Sequence, residues 1–132
     1  KLDAAAHSLG KTGLGKRLAV LIEINVGGEA AKSGIAPDSR ELQELLLAAP
    51  RLEALEVCGL MTVPPFADDP EDARPYFRKL RELRDAIAAR KLPDIRTDVL
   101  SMGMSHDFEV AITEGSTRIR VGTAIFGERA TA

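Results

Sequence analysis

The residues best suited to ligand chemistry lie in two turns near the C-terminus, one around Ser105 and one at Gly122-Thr123. Each turn carries glycine and hydroxyl groups and follows a β-rich stretch, so each is predicted just beyond the C-terminal end of a strand. Backbone N–H groups in such turns, helped by the partial charge of a helix N-terminus, can converge on one anion. In (β/α) barrels the loops after the last two strands commonly hold a phosphate. The sequence therefore predicts a phosphate site formed by the Ser105 hydroxyl and the amides of Gly122 and Thr123.

Simpler structural roles exist for the same residues. Ser105 is a good N-cap for the helix predicted after it, and capping and phosphate binding can hold together. The glycines could serve turn geometry alone. The residues leading into the first turn, Ser101, Gly103 and Met104, are predicted to shape it.

Arg120 is the charged side chain most suited to contact the part of a ligand that lies away from its phosphate. Strand alternation places Ile119 and Val121 on one face and Arg120 on the other, so its guanidinium is predicted to point into an interior. An unpaired charge there would be expensive. The residues alone leave two interpretations open, a contact to a ligand or a salt bridge to Glu23 or another interior carboxylate.

Three further residues are candidates at the same edge of the fold. Lys32 lies in a loop after a strand's C-terminal end, although a solvated loop lysine is the plainer interpretation. Asn25 could hydrogen-bond toward a ligand or finish a turn. Met61 could border the pocket, but a core methionine is the commoner case. Neither histidine has a second His or Cys at a useful spacing, so no metal site is predicted.

The hydrophobic pattern predicts strands that alternate with helices. Predicted strands span residues 18–26, 55–63, 97–104 and 118–123, and predicted helices span 1–9, a segment from Asp38 to about 49, 74–91 and 105–114, with a tail at 127–132. Asp38 and Glu41 have capping-box spacing, and Asp69-Pro70 suits a short turn before the long helix. Such alternation favours right-handed βαβ units and a parallel sheet. Four βα units are either a small doubly wound sheet or half of a TIM barrel, and the uncapped start favours the half-barrel.

Composition excludes several classes of function. The chain has 132 residues, 45% of them apolar, and a net charge of −2 from 18 basic and 20 acidic residues. Mixed charges and few aromatics argue against nucleic-acid or anionic-membrane binding. The single Cys58 excludes an intrachain disulfide and is predicted to be a buried thiol. No apolar run approaches membrane-spanning length and no signal-peptide pattern opens the chain, so we expect a cytoplasmic protein.

Four blocks of sequence resemble one known family. They are INVGGEAAKSGI at 24–35, GLMTVPP at 59–65, ARPYFRKLREL at 73–83 and LSMGMSHDFEVAITEGSTRIRVGTAIFGER at 100–129. Their order and spacing are similar to those of the pyridoxal-phosphate homeostasis proteins, the alanine-racemase-like proteins. The resemblance implies one (β/α) barrel related to the N-terminal domain of alanine racemase, of which this chain is the C-terminal half. It also implies a pyridoxal 5′-phosphate (PLP) carrier in vitamin B6 homeostasis without robust catalytic turnover, monomeric when the barrel is complete, with PLP-dependent apo-enzymes as partners.

The resemblance also assigns roles to residues. It implies that Arg120 faces the pyridine nitrogen of PLP, where a donor-only group disfavours ring protonation and weakens the cofactor as an electron sink. It implies a secondary or transfer role for Lys32. Family members hold PLP as a Schiff base on a lysine in a V-S-K context, which this sequence does not contain. We therefore expect about 100 residues of a usual member, with that lysine, to be missing from this chain.

Other functions remain as alternatives. A PLP-dependent racemase or decarboxylase would add a β-rich second domain. A barrel enzyme acting on a sugar phosphate would need acid–base carboxylates at several strand ends, for which Asp98 and Glu23 are unconvincing. A half-barrel in isolation could also be inert and prone to association through its exposed apolar face.

Overall fold

Four parallel strands form a single sheet in the computed structural model, which describes residues 1–8, 17–30 and 33–128. The strand order, β1-β2-β3-β4, follows the chain. The strands are β1 (Leu18–Glu23), β2 (Leu55–Met61), β3 (Ile95–Met104) and β4 (Arg118–Arg120), and the helices are α1 (Leu2–Ser8), α2 (Arg40–Ala48), α3 (Arg74–Ala89), α4 (Phe108–Thr113) and α5 (Thr123–Phe126), with 3₁₀ turns at Ala49–Arg51 and Pro70–Ala73. This sequential order is that of consecutive βα units in a barrel, and the predicted α/β class with a parallel sheet is confirmed.

The core lies between one face of the sheet and the helices that cover it. Its most buried side chains come from α2, α3 and β3: Leu42, Leu46, Phe77, Leu80, Leu100 and Met102. Because side chains alternate along a strand, Ser101 lies on the opposite face from Leu100 and Met102. Before a register irregularity between β2 and β3, Arg96 pairs with Glu56 and Asp98.

Several element ends differ from the sequence prediction. Ser39, rather than Asp38, is the N-cap of α2, and its hydroxyl accepts from the Leu42 amide at 3.2 Å. β1 ends at Glu23 and β4 at Arg120, and part of the predicted C-terminal strand is the short helix α5. The predicted turn before α3 is confirmed, and Asp69 caps it by accepting from the Glu71 amide. No helix in the described ranges is long and apolar enough to cross a membrane, and a cytoplasmic location stays a prediction.

Glu114 joins α3 to the end of α4. Its carboxylate is 4% exposed and accepts from Arg74 at 2.9 Å, from Arg81 at 2.8 Å and from Arg78 at 3.3 Å. The Arg74 hydrogen bond is the main cause that holds the pKa of Glu114 below its ordinary value. One buried carboxylate thus fixes the helix that follows the Ser105 turn against the long helix before it.

Replacing Glu114 with Gln should lower the free energy of unfolding by about 1–2 kcal/mol at pH 7. The effect stays below that of a fully buried pair because the three arginine side chains are 30–53% exposed and can hydrate. The depressed pKa adds stability above the unfolded-state pKa of about 4.3, and this is lost as the pH falls through the lower folded-state value. Urea unfolding from pH 7 to pH 3 measures both effects.

The matched control for this prediction is Glu44→Gln. Glu44 pairs with Arg40 at 2.7 Å, but both side chains are largely exposed, so its removal should change stability little. Equal effects of the two substitutions, or an E114Q effect that persists unchanged in acid, would contradict the role given to Glu114.

Candidate functional site

Arg120 is held at the C-terminal edge of the sheet by two buried acceptors. Its Nη1 donates to Ser101 Oγ at 2.6 Å, and its Nη2 donates to the Thr62 carbonyl at 2.8 Å. Ser101 is 2% exposed and Thr62 is fully buried. The guanidinium therefore lies across the ends of β2 and β3, on the face of the sheet that carries the Ser101 side chain.

The alternative of a salt bridge for Arg120 is wrong for the described part of the chain. No ion pair there joins Arg120 to Glu23 or to another carboxylate. Burial lowers the pKa of Arg120, and the more distant charges of Asp107 and Glu23 oppose that shift. Since a guanidinium keeps its proton in proteins, it stays a cation and a pure donor. Among the described residues it uses two of its N–H groups, one on each Nη atom.

Ser105 ties the two predicted turns together. Its Oγ accepts from the amide of Gly122 at 3.0 Å and from the amide of Ala124 at 3.2 Å. The prediction that Ser105 caps the following helix is wrong, because α4 begins at Phe108 and Asp107 is its N-cap. The hydroxyl oxygen already accepts two N–H groups, so its own hydrogen is left to donate outward.

The amides of Gly122 and Thr123 differ in their availability. The Gly122 amide is satisfied by Ser105, so any part it plays in holding an anion acts through that hydroxyl. The amide of Thr123, first residue of α5, is one of the orphan donors of a helix start, and no described residue accepts from it. A side chain added at Gly122 would meet nothing within 4 Å, so this glycine leaves open space beside the donors.

The remaining candidates fall into different environments. Asn25 donates from Nδ2 to the Glu29 carbonyl at 2.9 Å, as a residue that finishes its turn. Gly103 is buried beneath α4, whereas Met104 is 44% exposed beside the Ser105 turn. Met61 is half-buried at the end of β2, in register with Ser101 and Glu23. Lys32 lies outside the described residues.

Sequence reasoning missed Thr62 and Ala124. Both enter the site through a backbone group, an acceptor carbonyl in one case and a donor amide in the other. Thr62 did carry a weak signal, since it is a hydroxyl residue at the end of an apolar strand and directly precedes Val63-Pro64-Pro65.

Comparison with known proteins identifies the family of this chain. Residues 1–130 match the family model described as alanine racemase, N-terminal domain, and the chain belongs to that family. It is 56% identical over 111 residues to the pyridoxal phosphate homeostasis protein of Aquifex aeolicus. The aligned residues make up 83% of this chain and 46% of the relative. The homeostasis protein of Escherichia coli K12 is 46% identical over 112 residues, 85% of this chain and 46% of the relative. The predicted family resemblance is confirmed, and the chain spans about half the length of these relatives.

Solved structures agree with the fold. A protein from Bifidobacterium adolescentis, described as an unknown protein, superposes with a TM-score of 0.77 at 39% identity, over 94% of this chain and 49% of that one. The protein PipY of Synechococcus elongatus, solved with PLP bound, gives a TM-score of 0.73 at 29% identity, over 96% of this chain and 54% of its own. The predicted half-barrel related to the alanine racemase N-terminal domain is therefore confirmed.

Proposed function

We propose that this chain binds pyridoxal 5′-phosphate at the C-terminal edge of its sheet and takes part in PLP storage and delivery rather than in catalysis. The observation that carries the proposal is the anchored guanidinium of Arg120, two residues from the turn that Ser105 organises. The names of the curated relatives and the PLP-bound neighbour support the same ligand.

The donor set fits this ligand chemically. The free N–H groups of Arg120, the Ser105 hydroxyl hydrogen and the Thr123 amide are all donors, while a phosphate dianion and an unprotonated pyridine nitrogen are both acceptors. The open space at Gly122 leaves room beside them. Ser105 and Thr123 would hold the phosphate, and Arg120 would meet the ring nitrogen.

The same donor set favours a carrier over a racemase. Bound PLP supplies a reactive aldehyde and, when its ring nitrogen is protonated, an electron sink. Arg120 can only donate at the ring nitrogen, so it keeps that nitrogen unprotonated and weakens the sink. Arg120 is also unable to accept a proton, and Ser101 and the Thr62 carbonyl are the groups that contact it among the described residues. Amino-acid racemisation and decarboxylation assays on the PLP-loaded protein should therefore show no robust turnover.

Titration of the purified protein with PLP, pyridoxal and inorganic phosphate tests the proposal. We expect saturable PLP binding, followed by absorbance, that phosphate displaces. Ser105→Ala removes the hydroxyl and should weaken PLP binding about 10- to 100-fold, the range of one hydrogen bond to a charged group, with pyridoxal unaffected. Borohydride reduction and peptide mapping then show whether Lys32 carries the ligand. Absence of saturable PLP binding, or no competition by phosphate, would refute the function.

Ser116→Ala is the matched control for Ser105→Ala. The Ser116 hydroxyl also bonds backbone groups, donating to the Met102 carbonyl at 2.7 Å, but it has no contact with the Ser105 turn. Its removal should leave the affinity for PLP unchanged. Equal losses in the two variants would mean that Ser105 acts through general stability.

A further inference from the structure

Thr62 lies where the C-terminal ends of three strands meet. Its hydroxyl donates to the Ile24 carbonyl beyond β1 at 2.7 Å, and its amide donates to the Ser101 carbonyl of β3 at 3.1 Å. Its own carbonyl accepts from Arg120 Nη2 at 2.8 Å. The residue is fully buried, and each of its polar groups contacts a different element.

The chain leaves the strand at Thr62. β2 ends at Met61, and Val63 is 41% exposed. Pro64 and Pro65 then supply no N–H groups to continue a ladder, although Pro64 restricts Val63 to extended conformations. The two hydrogen bonds that Thr62 itself donates, one from the hydroxyl and one from the amide, tie this residue to Ile24 and to β3 just before its carbonyl.

Packing alone does not account for a threonine here. Valine has nearly the same shape, and the neighbouring Leu60 and Ile24 are core residues at 2% and 1% exposure. A buried hydroxyl is unfavourable unless it is hydrogen-bonded. The hydroxyl of Thr62 meets that condition through the Ile24 carbonyl, and the bond joins β1 to the peptide that holds Arg120.

We propose that Thr62 is a positioning residue: its hydroxyl bond to the Ile24 carbonyl fixes the peptide whose oxygen orients the Arg120 guanidinium toward the ring of the cofactor. The identity of the ring in this inference rests on the proposed function. The orientation of Arg120 does not rest on it. The chain of contacts runs from β1 through Thr62 to β4, and Ser101 holds the guanidinium from the other side.

Three variants test the inference. Thr62→Val removes the hydroxyl at nearly constant shape, and Thr62→Ser retains it. Ser116→Ala removes a hydroxyl–carbonyl hydrogen bond of the same length, 2.7 Å, made to Met102 rather than to a group that accepts from Arg120. The first readout is the ¹⁵N–¹H NMR spectrum of the Arg120 guanidinium without any ligand. Separate, slowly rotating Nη signals are expected in the wild type, in T62S and in S116A, and averaged signals in T62V.

The second readout is the ratio of the affinities for PLP and for inorganic phosphate. T62V should weaken PLP binding about 3- to 10-fold, the range of one hydrogen bond between neutral groups, and leave phosphate binding unchanged. T62S and S116A should keep the wild-type ratio. A residue that only stabilised the fold would weaken both ligands together, or neither.

The outcomes of these measurements separate the positioning role of Thr62 from the proposed function. Unchanged Arg120 signals in T62V, or averaged signals in S116A as well, would overturn the inference. Averaged signals in the wild type would also overturn it, and that measurement does not depend on any variant being folded. If the wild type shows separate signals but binds no PLP, the proposed function fails while T62V still decides the positioning role. If PLP binds and T62V leaves both the spectrum and the affinity ratio unchanged, the positioning role alone fails.

Discussion

Replacement of Arg120 with Gln should weaken PLP binding by about 10- to 100-fold, because a hydrogen bond to a charged group contributes about 1.5–3 kcal/mol. Binding of inorganic phosphate should stay within about twofold of the wild type, because the phosphate donors at Ser105 and Thr123 are separate groups. Equilibrium titrations with PLP and with inorganic phosphate measure the change in each affinity separately. Circular dichroism should show a folded protein, although Ser101 Oγ and the Thr62 carbonyl lose their donor.

Two further substitutions sharpen this prediction. Arg120→Lys keeps the charge but loses the planar fork that reaches Ser101 Oγ and the Thr62 carbonyl together, so it should rescue little of the PLP affinity. Arg118→Gln is the matched control, because Arg118 is an exposed arginine of the same strand; it pairs with Ser101 through the backbone register, but among the described residues its guanidinium donates neither to Ser101 Oγ nor to the Thr62 carbonyl. A loss in R118Q equal to that in R120Q, or a parallel loss of phosphate affinity, would contradict the ring-facing role.

Arg120 illustrates which part of the site the sequence could predict. Its face followed from the alternation of Ile119, Arg120 and Val121, which requires only that the segment be a strand. Its acceptors did not follow, because one of them is the backbone carbonyl of Thr62, and every residue type carries such a group. The choice between a ligand contact and a salt bridge to Glu23 depended on that distant carbonyl. A contact 58 positions away in the chain leaves no local pattern.

The ends of elements were less predictable than their existence. β-rich runs bounded by glycine and proline predicted all four strands, but β4 ends at Arg120 because the Gly122 amide bonds Ser105 Oγ, 17 positions away, instead of a strand neighbour. Ser39 and Asp38 are both good capping residues, and the structure selects Ser39. In each case local propensity allowed two answers and a specific hydrogen bond decided between them.

Gly103 is a structural residue whose substitution should have a large effect on stability. Its φ is +96°, in a region that residues with a side chain rarely adopt. An added Cβ would lie 2.6 Å from Ala111 Cβ and 3.0 Å from Phe108 Cα, both on α4. The absence of a side chain at Gly103 therefore lets α4 pack closely against β3, just before the turn that carries Ser105.

Gly103→Ala should lower the free energy of unfolding by about 2–6 kcal/mol, since backbone strain and overpacking each contribute about 1–3 kcal/mol. Urea unfolding followed by circular dichroism measures the change. The matched control is Gly28→Ala, where φ is +68° but an added Cβ would meet nothing within 4 Å, so only backbone strain remains. Because α4 must move away from β3 in G103A, the folded variant should also bind inorganic phosphate more weakly, whereas G28A should not. A G103A protein no less stable than G28A, with unchanged phosphate affinity, would show that the contact of α4 with β3 does not position the Ser105 turn.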